Sequence, residues 1–68
     1  MVEVDAKGLS CPQPLMMARE AIESHPGEQV VVWVDSASPR DNILRMVRKK
    51  RLAVEVTEEE GAYRITIG

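Results

Sequence analysis

Pro12, Pro14, Pro26 and Pro39, together with Gly8, Gly27 and Gly61, cut a chain of 68 residues into six short segments. None is long enough to be stable alone, so each must be read by its apolar periodicity and by the partner it needs. Val2 to Asp5 alternates apolar and polar residues, and Glu28 to Asp35 is a β-branched run with little alternation, as a buried central strand requires. Ala53 to Glu58 and Ala62 to Ile67 alternate again, joined by Glu58-Glu59-Glu60-Gly61, whose glycine supplies the positive φ of a hairpin turn. Between the first two strands, Leu15, Ala18, Ala21 and Ile22 recur at helical spacing, and Pro26-Gly27 ends the segment. Between the second and third, Ser38-Pro39-Arg40-Asp41 predicts a helix start with Ser38 as N-cap, Pro39 at the first helical position and an acid at the third. Ile43, Leu44, Met46 and Val47 then form its apolar face.

The order is βαβαββ. Right-handed crossovers put both helices on one face of a four-stranded mixed sheet, which predicts an α/β (α+β) two-layer sandwich. Residues 1–68 read as a single domain without repeats or linkers. Side-chain parity sends Val2, Val4, Val54, Val56, Tyr63, Ile65 and Ile67 toward the helices, and Glu3, Asp5, Glu55, Thr57, Arg64 and Thr66 away from them. In the central strand Val30, Val32 and Val34 share the core parity, which leaves Val31 and Trp33 on the open face. An outward Trp33 marks a partner surface or is one of the scattered apolar side chains that every surface carries.

A chain this short buries only roughly 60% of its unfolded surface, which leaves no room for a deep substrate pocket. Hydrophobic residues at 44% and charged residues at 29% exclude a disordered chain. The net charge of -2, from 11 acidic and 9 basic residues, gives no global attraction to nucleic acid or anionic lipid. The longest apolar run, Val30 to Val34, is far below a membrane span, and the start Met-Val-Glu-Val-Asp is unlike a secretion signal. One cysteine builds no disulfide framework, so the cytoplasm is the expected compartment.

That cysteine lies in Gly8-Leu9-Ser10-Cys11-Pro12-Gln13-Pro14, at the junction of strand one and helix one. A residue before proline is pushed toward extended conformations, so Cys11 suits the N-cap, with Pro12 at the first helical position and Pro14 at the third. The two prolines remove two of the first-turn N–H groups and leave those of Gln13 and Leu15 to face a sulfur anion. In a competing register Ser10 is the N-cap and Gln13 its capping-box partner. Either way the helix dipole favours thiolate over thiol, which makes Cys11 a candidate nucleophile. The alternative for any single cysteine is a small buried hydrophobe. Its position at an element boundary between prolines, outside the apolar stripe, favours the reactive reading.

The run Val4-Asp5-Ala6-Lys7-Gly8-Leu9-Ser10-Cys11-Pro12-Gln13-Pro14 closely resembles the signature of TusA-like (SirA-like) sulfur-carrier proteins. The resemblance covers essentially the whole chain, including the element order and the segment Val34-Asp35-Ser36-Ala37-Ser38-Pro39-Arg40-Asp41-Asn42-Ile43. Within the family, the chain looks most similar to the N-terminal domain of YedF-type proteins, whose tails run much like Val54 to Ile65. The resemblance implies that Cys11 accepts sulfur as a persulfide and relays it, as family members do toward thiouridine in transfer RNA or into sulfur oxidation. It implies a sulfur-donor protein such as a cysteine desulfurase or rhodanese, a sulfur-acceptor protein, and neither metal nor organic cofactor. Cys11 alone carries over, as the catalytic residue; its neighbours Ser10, Pro12, Gln13, Pro14, Leu15 and Met16 are read from the turn itself as the binding surround.

Other candidates carry less. His25 precedes Pro26-Gly27 at a helix end, without a second ligand at metal spacing. Arg45, Arg48 and Lys49 share one face of helix two, extended by Lys50 and Arg51; this is a solvated face, a dock for an acidic partner, or a contact for RNA phosphates. Met16 falls on the polar side of helix one near Cys11, where an adaptable side chain suits several partners. Three function classes fit these residues: a sulfur-relay carrier, a redox-regulatory or protein-binding module, and an RNA-binding domain.

Overall fold

The computed structural model describes residues 1–68 and has the order β1 (Val2–Asp5), α1 (Gln13–Ser24), β2 (Val30–Val34), α2 (Ala37–Lys49), β3 (Val54–Glu59) and β4 (Ala62–Ile67). The strands form one mixed sheet ordered β1-β2-β4-β3, in which β1 runs parallel to β2 and the other two pairs are antiparallel. The β-branched run therefore becomes an inner strand. Four of its five residues are buried, and only Trp33 is half-exposed.

Register carries the expected parity across the whole sheet. Val4, Val32, Ile65 and Val56 lie in one row of neighbours, and Val2, Val30, Ile67 and Val54 in the next. These rows meet Ala18 and Ala21 of α1 and Ile43, Met46 and Val47 of α2 in a single core, so both helices cover the same face. The alanines of α1 let its backbone approach the sheet closely, while α2 fills the remaining space with larger side chains. On the other face, Val31 is buried between Glu3 and Thr66 of the adjoining strands, and Trp33 lies between Asp5 and Arg64. The cationic groups of Lys7 and Arg64 sit over the Trp33 ring at 5.7 and 6.0 Å. The indole is thus partly covered by its own chain.

The limits of β1 and β4 are those read in the sequence, those of β2 and β3 shift by a residue or two, and both helix starts differ in register. Helix α2 begins at Ala37 after Ser36, which is extended, so Ser38 and Pro39 fall at the second and third helical positions. Neither Ser36 nor any other side chain caps this end, and no acid sits in the first turn. A proline is tolerated anywhere in the first turn because those N–H groups have no intrahelical partner, so Pro39 marks the turn without fixing the residue. At the other end, Arg51 takes φ 58°, the Arg51 N–H bonds the Arg48 carbonyl at 3.1 Å and the Leu52 N–H bonds the Val47 carbonyl at 3.3 Å. This is a Schellman motif with arginine in the place usually taken by glycine. The final hairpin turns on Glu60 and Gly61 alone, both at positive φ, as a two-residue turn of the I′ type needs.

Candidate functional site

Cys11 is exposed in a tight turn that ends the β1–α1 loop. The Gln13 N–H bonds the Ser10 carbonyl at 3.0 Å, and the peptide between Cys11 and Pro12 is cis, so Ser10 to Gln13 form a turn with proline third. Pro12 is the N-cap residue and α1 starts at Gln13, one residue later than the sequence predicts with Cys11 as N-cap. Pro14 consequently occupies the second helical position. The capping-box alternative is not formed either: Ser10 and Gln13 are joined through backbone, and no side chain caps the helix. The turn withdraws the Gln13 N–H from the sulfur, so one of the two donors expected from the sequence is spent.

The donors can be counted. Between Lys7 and Met16 the N–H groups of Lys7, Gly8, Leu9, Gln13 and Met16 bond Asp5 Oδ1, Asp35 Oδ2 and the carbonyls of Ala6, Ser10 and Pro12 respectively. The two prolines have none. Only those of Ser10, Cys11 and Leu15 remain for an anion. The Asp35 bond, at 2.9 Å across 27 positions, ties the loop to the end of β2 and so fixes the direction from which Cys11 leaves the sheet.

A donor from elsewhere does reach the sulfur. Asn42, in the second turn of α2, donates through Nδ2 to Cys11 Sγ at 3.4 Å. Arg45, one turn further on, donates through Nη2 to Asn42 Oδ1 at 3.3 Å. Sequence reasoning gave neither residue a role at the thiol. Their mutual spacing of three is a helical signal, but Asn42 and Cys11 are 31 positions apart and no local pattern links them.

The binding residues inferred around Cys11 separate by exposure. Ser10, Pro12, Gln13 and Met16 are exposed, Leu15 is half-buried, and Pro14 is fully buried, so Pro14 acts by packing and not by contact with a partner. Met16 is 58% exposed, on the same end of α1 as Cys11.

From Leu15 and Asn42 a groove of about 530 Å³ runs between the helices, lined by Arg19 on α1, by Arg45 and Lys49 on α2 and by Lys50 just past its end. Its one acid, Glu23, lies 3.7 Å from Lys50. Arg48, grouped with Arg45 and Lys49 in the sequence reading, instead borders Arg40, Asp41 and β3. The spacing of four keeps Arg45 and Lys49 in one row, and Arg48 falls into the next. Arg40 bonds Asp41 at 2.9 Å and stacks on Tyr63 at 4.7 Å. That bond holds the Asp41 carboxyl below its ordinary range and raises the Arg40 guanidinium further above neutrality. His25 closes α1, its N–H bonding the Ala21 carbonyl at 3.2 Å with the ring Nδ1 3.1 Å from the same oxygen.

The chain's single cysteine is thus exposed at a helix start, beside a cationic groove. The family described as sulfurtransferase TusA matches residues 2–68. The chain belongs to the TusA family. A candidate sulfur carrier protein of Archaeoglobus fulgidus is 35% identical to it, over 98% of this chain and 91% of that protein. The crystal structure of a SirA-like protein from Desulfitobacterium hafniense superposes with a TM-score of 0.93 at 30% identity, covering 98% of this chain and 95% of the other. The TusA assignment carries the role of sulfur carrier, which entails a protein that donates sulfur and one that receives it. No helix of this TusA-family chain is long and apolar enough to cross a membrane.

Proposed function

We propose that Cys11 is the carrying atom of this sulfur carrier, accepting sulfane sulfur as a persulfide and yielding it to a thiol of an acceptor protein. The observation that carries the reading is the placement of the chain's single cysteine, exposed at the start of α1 and already hydrogen-bonded through Sγ. The Cys11 thiolate attacks the terminal sulfur of a donor persulfide. A new S–S bond forms, the donor's own S–S bond breaks, and the donor cysteine leaves as a thiolate. Oxidation level is conserved, since the sulfane sulfur arrives already oxidised, so neither cofactor nor external oxidant is required. Delivery is the same exchange with the persulfide as donor. A neighbouring thiol on the carrier would attack the persulfide, close a disulfide and lose the sulfur as sulfide, and this chain has no such thiol.

The groove between the helices supports a partner class. Arg19, Arg45, Lys49 and Lys50 give local positive charge to a chain of net charge -2, so an acidic segment flanking the partner's reactive cysteine is the complementary ligand. Cysteine desulfurases and rhodanese-type persulfide proteins are the donor classes, and the cytoplasm, where a lone thiol stays reduced, is the compartment we assign.

The test incubates the protein with a desulfurase and cysteine and reads intact mass. Wild type gains one sulfur that reductant removes, and Cys11→Ser gains none. Absence of gain with several competent donors, or equal gain on the serine variant, would overturn the carrier-atom assignment in favour of a redox-regulatory or protein-binding module. Reversing Arg45 and Lys49 to glutamate should slow loading most at low salt, because the groove's attraction is screened as ionic strength rises.

A further inference from the structure

The start of α1 is poorer in donors for a sulfur anion than an ordinary helix start. Pro12 at the N-cap and Pro14 in the first turn have no N–H, and the Gln13 N–H is closed into the turn with Ser10. The contact made to Cys11 Sγ comes from α2.

We propose that Asn42 is a catalytic residue of this carrier, donating its side-chain amide N–H to the anionic sulfur on Cys11, and that Arg45 is the positioning residue that fixes the amide. The proposal deepens the persulfide reading and rests on it for the identity of the cargo. Its chemistry follows from the groups present. An amide is neutral and does not surrender a proton near neutral pH, so it stabilises Cys11–S⁻ and Cys11–S–S⁻ without protonating either. A lysine in its place would hold the anion by a full charge and oppose release to an acceptor. A carboxylate would repel it. An amide unaided can turn either its oxygen or its nitrogen to the sulfur. Arg45 Nη2 binds the Oδ1 end at 3.3 Å and so leaves Nδ2 aimed at Sγ. Because Arg45 also lines the cationic groove, a carboxylate docking there meets the same guanidinium that orients the amide. Partner binding and the hold on sulfur are thereby joined through one side chain.

Alkylation of the reduced protein by iodoacetamide tests this without any sulfur donor. Asn42→Asp preserves shape and replaces the donor by an anion, and it should slow alkylation at pH 7 about tenfold, the equivalent of losing one charge-assisted hydrogen bond. Asn42→Ala should slow it about threefold, by the same reasoning without the repulsion. Arg45→Met should give a smaller loss that Arg45→Lys restores, a rescue that a merely structural role would not show. Ultraviolet thiolate absorbance at pH 7 should fall in the same order. Thermal unfolding of each variant confirms that it is folded. Asn42→Asp alkylating within twofold of wild type while folded would overturn the proposal, as would identical rates for Arg45→Met and Arg45→Lys. Failure of the wild type to load sulfur would instead strike the carrier reading, and the alkylation rates would still decide the role of Asn42.

Discussion

The two helices lie side by side on the sheet and begin alike, each with a buried proline in its first turn and neither with a side-chain cap or an acid there. At α1 the chain enters through a tight turn that projects a sulfur into solvent. At α2 it enters from an extended Ser36, and the first residue past the proline, Arg40, turns back onto Asp41 and Tyr63. The difference teaches that a helix start does not by itself supply the hydrogen bond that reaches the sulfur. Prolines impoverish the start of α1 in donors, and the side chain that meets the sulfur stands on α2. The hydrogen-bonded setting of Cys11 is therefore a product of helix packing.

The sharpest way to break this contrast is to treat the two prolines alike. Pro14→Ala and Pro39→Ala each remove buried ring carbons, and each should cost about 1–2 kcal/mol in denaturant unfolding. Only Pro14→Ala restores an N–H in the turn beside Cys11, so it should leave iodoacetamide alkylation equal to wild type or up to about threefold faster. Pro39→Ala should leave that rate unchanged. Equal acceleration by both would erase the distinction between the helix starts.

The far ends of the helices give a smaller effect of opposite sign. Arg51 ends α2 in the left-handed region that disfavours a side chain, whereas Gly27 meets the same demand after α1 at φ 83°. Arg51→Gly should raise stability by about 1 kcal/mol and Gly27→Ala lower it by a similar amount, read as shifts of the thermal midpoint. A midpoint that falls for Arg51→Gly would mean that the arginine side chain makes a contact outweighing its backbone cost.

The smallest effect is electrostatic and belongs to α2. The hydrogen bond from Arg40 holds the Asp41 carboxyl below its ordinary value. A carboxyl depressed on folding contributes stability that is complete above its unfolded value and is lost as pH falls through its folded one. Asp41→Asn should therefore lie slightly below wild type near neutrality and converge with it in acid, below about pH 4. Solvent screening keeps the gap small at this exposed pair, and added salt should narrow it further.

Alternation and β-branching made the strands, their parity and the two-layer arrangement legible before any coordinates. These patterns are local, and each strand states its own buried face. Helix starts were legible only to within a turn. Proline is compatible with every first-turn position, so Pro12 and Pro39 announced helices without saying that the first residues would be Gln13 and Ala37. The turn that closes α2 escaped notice because it uses Arg51, where the recognisable residue would have been glycine. At the site, Cys11 was visible from its place between a strand and a helix, with Met16 beside it. Asn42 and Asp35 were not, because their hydrogen bonds to Sγ and to the Gly8 N–H join distant segments that only the packed fold brings together.

The strand order β1-β2-β4-β3 leaves β1 and β3 with unpaired backbone groups along the rims of the sheet. β1 carries Glu3 and Asp5, and β3 carries Glu55, Glu58 and Glu59. Lateral joining of two copies through either rim, or through both, would bring carboxylates against carboxylates. A small protein that spends its working life docking and undocking gains from that repulsion, because the open backbone of its sheet does not become a site of self-assembly.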